Sequence, residues 1–163
     1  MQWLYTTFGW LAARILSWFP LNVLLILSDF LGFIFNRILP YRKSVIDLNL
    51  IQSFPHKKSE ELWYIRSKYY RHLADIIFET IKSISITKKD LANHIQLHHD
   101  SFALLKKYEQ SGQHIFIVLG HYGNWEWASL LAGLETKLPT YALYAPSRNN
   151  TFNKNLIKNR ARF

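Results

Sequence analysis

Two dense apolar runs open the chain. From Trp3 to Phe19 the only charge is Arg14, from Leu21 to Phe35 the only charge is Asp29, and Pro20 separates the two. Proline is tolerated at a helix start and not in its interior, so the pattern predicts two apolar helices. Each would reach about 25 Å, slightly short of the roughly 30 Å hydrocarbon core of a bilayer. Spanning a membrane, lying in its interface, and packing as buried core helices all fit this length. The aromatic residues Trp3, Trp10 and Trp18 suit the head-group level, and Arg37, Arg42 and Lys43 after the second run favour the cytoplasmic side for the rest of the chain. The opening "MQWLYTTFGW" is uncharged and bulky, unlike a cleavable secretory signal.

The apolar period then changes. Leu62, Ile65, Tyr69, Leu73, Ile76, Ile77 and Ile81 recur at helical spacing behind Ser59, Glu60 and Glu61, which predicts one long amphipathic helix. Thr87 to Asp90 fits a capping box and opens a short helix. Beyond it "IQLHH" reads as a short strand, Asp100 to Gln110 as a helix closed by Gly112, "HIFIVLG" as a buried strand, "TYALYA" as another, and a further helix starts near Thr151. Strand and helix alternating in this way predict an α/β fold with a mainly parallel sheet flanked by helices. The expected organisation is an apolar, membrane-anchoring helical segment over residues 1–40, followed by the N-terminal part of an α/β domain over 41–163. The run "NLIKNRARF" breaks off without a cap or a polar tail, so a longer protein is expected.

Composition adds charge and excludes classes. Half the residues, 49%, are hydrophobic, enough for a core and against disorder. Lysine and arginine outnumber aspartate and glutamate 20 to 11, so the expected partners are anionic. The absence of cysteine excludes disulfides, thiolate metal sites and a cysteine nucleophile. A nucleic-acid binder would carry a helix-turn-helix, a zinc module or an aromatic-basic sheet motif, and none is present. His94 and His98 stand four apart beside His99, yet His94 ends a helix and His98 falls in a strand, so they share no helix face and no metal site is expected.

The candidate chemistry lies in "GHYGNWEW", residues 120–127. On one continuous helix, positions five apart diverge by about 140°. A turn at His121, a permissive Gly123 and a helix capped by Asn124 instead put Glu126 in the first helical turn, where its carboxylate could fold back toward His121. An imidazole fixed by a carboxylate is a general base. With no serine or cysteine at a nucleophile elbow, the group it would activate is a substrate hydroxyl. The spacing alone fits equally well a turn histidine and an ordinary first-turn acid favouring the helix dipole.

The same stretch resembles the H-x4-D/E motif of glycerolipid-type acyltransferases, and its setting is similar to one branch, the lipid A biosynthesis (lauroyl/myristoyl) acyltransferases. "YRKSVIDLNLIQSFP", with Asn49, Leu50, Phe54 and Pro55, "YYRHLADIIFE", and "YAPSRNN" with "RARF" resemble further segments of that family in the same order. The resemblance covers essentially the whole chain and corresponds to the family's N-terminal half. It implies a membrane-associated enzyme at the cytoplasmic side of the bacterial inner membrane. Such an enzyme moves a fatty acyl chain from acyl-carrier protein to a hydroxyl of a phosphorylated lipid A precursor, without a cofactor.

Carried over by position, His121 is the general base and Glu126 its orienting carboxylate. Arg148 and Asn149 would contact phosphate or the thioester oxyanion, and Arg160 and Arg162 would serve phosphate or the acidic carrier. Where the family has arginine between Tyr144 and Pro146, this chain has Ala145, so that role would pass to Arg148 or to a residue beyond Phe163. Two other readings fit the residues: transfer to another glycolipid or aminolipid, and an inactive membrane-binding remnant.

Overall fold

The computed structural model of the chain describes residues 2–147 and 149–163, with side chains from Thr7 onward. Its regular structure is helical: α1 Gln2–Ser17, α2 Leu21–Arg37, α3 Lys43–Ser53, α4 Ser59–Lys82, α5 Lys88–His94, α6 His99–Gln110, α7 Trp125–Glu135 and α8 Asn150–Arg160. Pro20 precedes α2 as its N-cap, and Thr87 caps α5 by accepting from the Asp90 N–H at 3.1 Å. Gly112, at φ +69°, follows α6. No helix among the described residues is long and apolar enough to cross a membrane.

The expected α/β fold with a parallel sheet is corrected by the structure, which has no strand among the described residues. Of the segments read as strands, 114–120 and 140–145 run between helices without ladder pairing, and 95–99 does the same up to His99, which opens α6. A strand exists only when a neighbour takes its backbone N–H and C=O bonds, and an apolar run reports a wish for burial without naming that neighbour. Here the wish goes unmet: Phe116, Val118, Tyr141 and Leu143 are 88%, 90%, 88% and 97% exposed.

The chain divides into two compact units, Met1–Trp18 with Thr80–Phe163, and Phe19–Glu79. In the Phe19–Glu79 unit, α2 and α4 run antiparallel in a register that polar and small residues define. Ser28 donates to Asp75, Gly32 backs onto Arg71, and Asn36 donates to Ser67 at 3.0 Å, one contact per helical turn. At Gly32 a Cβ would lie 3.0 Å from the Arg71 Cα, so the side chain's absence sets how closely the two backbones approach. Asp29 pairs with Arg71 at 2.5 Å at the seam's edge, and Leu24, Tyr70 and Ala74 complete it, fully buried. The other side of α2 carries Val23, Ile26, Leu27, Phe30 and Phe33, all exposed. The helix thus buries its polar stripe and presents its apolar one.

In the other unit, α1 packs on α8 and α7 packs on both α5 and α8, around Ile86, Leu91, Trp127, Leu130 and Leu131. The turn from Ser83 to Ile86 is a junction. Its Ser85 hydroxyl and Lys82 donate to the Ser17 carbonyl, Asn159 donates to the Ser83 hydroxyl at 2.7 Å, and Arg162 donates to the carbonyls of Ser83 and Ile86. These bonds tie the end of α1, the end of α4 and the end of α8 together.

Candidate functional site

Local sequence builds the motif as expected. Gly123 has φ +60°, a left-handed conformation that glycine adopts without strain. Asn124 then caps α7 by accepting from the Trp127 N–H at 3.0 Å. His121 stands in the bend before this turn, exposed, and Glu126 lies in the first helical turn. The glycine turn and the capped helix start place the two near one another in the chain.

The side chains pair otherwise than their spacing suggests. No hydrogen bond joins His121 to Glu126 among the described residues; the imidazole rests on the Trp125 ring, centroids 4.7 Å apart and planes tilted by 52°. The Glu126 carboxylate is instead forked by Arg160, with Nε to Oε2 at 3.0 Å and Nη2 to Oε1 at 2.5 Å. Both groups are largely shielded, the carboxylate side chain 14% and the arginine 20% exposed. Above the guanidinium sits the Tyr144 ring, 5.3 Å from it. The hydrogen bonds to Glu126 raise the Arg160 pKa above its ordinary value against the opposing effect of burial.

The remaining expected site residues are dispersed. Asn149 caps α8, accepting from the Phe152 N–H at 3.0 Å, and its own N–H reaches the Ser147 hydroxyl at 3.3 Å. Arg162 directs one Nη1 and one Nη2 donor to the Ser83 and Ile86 carbonyls, and burial, with Arg14 nearby, lowers its pKa. Arg148 lies outside the described residues. Ala145 stands in the exposed segment before α8.

Sequence reading missed two ring contacts at these side chains, Trp125 on His121 and Tyr144 on Arg160. Trp125 is four residues after His121, a spacing that could have suggested the contact. Tyr144 gives no such signal.

His94 does not turn toward His98. Its Nδ1 lies 2.7 Å from the Asp90 carbonyl and its ring meets Trp127 edge-on. The group of potential metal ligands among the described residues is His98, His99 and Asp100, all exposed, with ligand atoms within 4.8 Å of one another. Two hollows, of about 340 and 230 Å³, lie in the Phe19–Glu79 unit, one against Tyr41, Arg42 and Asn49 and one against Asp29, Asn36 and Arg71. Neither touches the motif, so chemistry and not concavity locates the site.

Set against known proteins, the chain matches the family described as bacterial lipid A biosynthesis acyltransferase over residues 1–163. No curated protein and no solved structure matches it. A match over the whole length, with the H-x4-E motif seated on a glycine turn and a capped helix, places the chain in the bacterial lipid A biosynthesis acyltransferase family.

Proposed function

We propose that this acyltransferase takes its acyl group from acyl-carrier protein and delivers it to a hydroxyl of a phosphorylated lipid A precursor, with His121 as general base. The observation that carries the reading is the motif at the start of α7 within a family match that spans the chain. In the proposed step His121 removes the proton from the acceptor hydroxyl as that oxygen attacks the thioester carbonyl. Collapse of the tetrahedral intermediate breaks the carbon–sulfur bond, and the proton passes from the imidazolium to the departing thiolate. The products are an ester and the free thiol of the carrier. Glu126 orients the imidazole and offsets its transient charge. The oxyanion and the acceptor phosphate fall to Arg148 and Asn149.

A place at the cytoplasmic face of the bacterial inner membrane suits the surface. Phe8, Leu11 and Ile15 of α1, with Trp18 just after it, form an exposed stripe, and α2 turns its own apolar stripe outward. Lying in the interface with basic residues toward anionic head groups follows from that pattern and from a net charge of +9. Incubation with labelled acyl-carrier protein and a phosphorylated lipid A precursor tests the reading. The expected product is the precursor with one added ester-linked chain. Transfer only to an unphosphorylated glycolipid or an aminolipid, or no transfer to any acceptor, would contradict it.

A further inference from the structure

The contact that remains unassigned at the motif is the fork between Glu126 and Arg160, which joins the first turn of α7 to the last residue of α8. We propose that Arg160 is a positioning residue, which holds the Glu126 carboxylate in place for His121, and not a contact for substrate phosphate. This rests on the reading of His121 and Glu126 as base and orienting carboxylate.

Geometry carries the inference. Two donors on two oxygens fix the plane of the carboxylate as well as its position, which a single contact cannot do. Partial burial of both partners and the Tyr144 ring over the guanidinium reduce competition from water. The segment bearing Arg160 is itself anchored on both sides. Asn159 is bound to Ser83 and Arg162 to the carbonyls of Ser83 and Ile86, so the guanidinium sits on a fixed support.

An ionised carboxylate offers about four acceptor positions, and the fork uses one on each oxygen. Capacity remains for the imidazole N–H. In the working arrangement His121 leaves Trp125 and donates to an oxygen that Arg160 already holds. The fork takes the Nε and one Nη2 donor of Arg160 and offsets its charge with that of Glu126, so a phosphate would meet only the remaining N–H groups of an already paired cation, and the phosphate contact is assigned elsewhere.

The test is steady-state acyl transfer by the full chain carrying Arg160→Gln, Arg160→Lys, Glu126→Gln, the Glu126→Gln/Arg160→Gln pair, or His121→Ala. Melting of each variant is measured alongside. Arg160→Gln is expected to lower kcat by about 10- to 100-fold, as misplacing a catalytic group does, with the acceptor KM little changed. Arg160→Lys, which keeps the charge and loses the fork, should recover little of the loss and serves where the glutamine variant fails to fold. Because Arg160 acts through Glu126, the double variant should be no slower than Glu126→Gln alone.

Three results would overturn the proposal: a raised acceptor KM at unchanged kcat, single-variant losses that multiply in the double variant, or a lower melting temperature with kcat unchanged. If His121→Ala transfers normally, the base assignment itself fails. If it is inactive while Arg160→Gln is not, the failure belongs to Arg160 alone.

Discussion

Glu109 accepts from three donors: Lys106 Nζ at 2.9 Å, the Thr136 hydroxyl at 3.0 Å and the Lys137 N–H at 2.5 Å. Lys106 also donates to the Glu135 carbonyl, so this cluster ties α6 to the end of α7, the helix whose other end bears the motif. These hydrogen bonds, that of Lys106 foremost, hold the Glu109 carboxyl down from 4.5 to about 2. A folded-state pKa below the unfolded one gives stability that is complete above the unfolded value and is lost as pH falls through the folded one. Acid unfolding should therefore draw on Glu109 between about pH 4.5 and pH 2. In melting curves over that range, Glu109→Gln is expected to flatten the pH dependence and to lower the melting temperature at neutral pH. An unchanged pH profile would show that the cluster adds nothing. Residue-level signals of this local kind were readable in the sequence where partners are close, as with Thr87 on Asp90 or Asn124 on Trp127. Glu126 and Arg160 are 34 residues apart, and no local rule connects them.

At the scale of elements, the helices that sequence periodicity indicates are the ones whose ends carry physical punctuation: Pro20 before α2, Thr87 before α5, Gly112 after α6. Helix α3 escaped that reading because Val45, Leu48 and Ile51 are exposed and leave no buried period to detect. The strand readings failed for the opposite reason. An apolar run such as "IFIVLG" was plain, while the pairing that makes a strand was not in the run itself. The α2–α4 register is the element-level feature most open to test. Gly32→Leu would place a side chain against the Arg71 backbone, where even a Cβ meets an atom at 3.0 Å. Overpacking of that kind costs about 1–3 kcal/mol, more than the gain of up to about 1 kcal/mol from removing a helical glycine. A lower melting temperature than the parent is expected, and an equal or higher one would refute the close approach.

For the molecule as a whole, each unit presents an apolar helix stripe outward, α1 in one and α2 in the other. In α2 a polar stripe is buried and an apolar one exposed, the reverse of a helix on a water-facing surface, which supports the proposed contact with lipid. Ile26→Ser with Phe30→Ser should weaken binding to anionic phospholipid vesicles by about tenfold or more, since each buried apolar side chain contributes about 1.5–3 kcal/mol. Melting should barely change, because both side chains face outward. Vesicle binding equal to the parent would mean that α2 does not meet the lipid. The two apolar helices and the motif were both legible in the sequence, because apolar density and an H-x4-E spacing are written along it. That the apolar runs form no sheet among the described residues was not legible, because strand pairing depends on neighbours.

The proposed chemistry rests on one imidazole, that of His121. Acyl transfer from labelled acyl-carrier protein to a phosphorylated lipid A precursor, compared between the parent chain and His121→Ala at matched folded concentration, decides whether it is the base. Transfer by the parent that falls by at least about 100-fold in the variant is the expected result, as loss of general base catalysis entails. Equal transfer by both would remove His121 from the chemistry and with it the mechanism built on the start of α7.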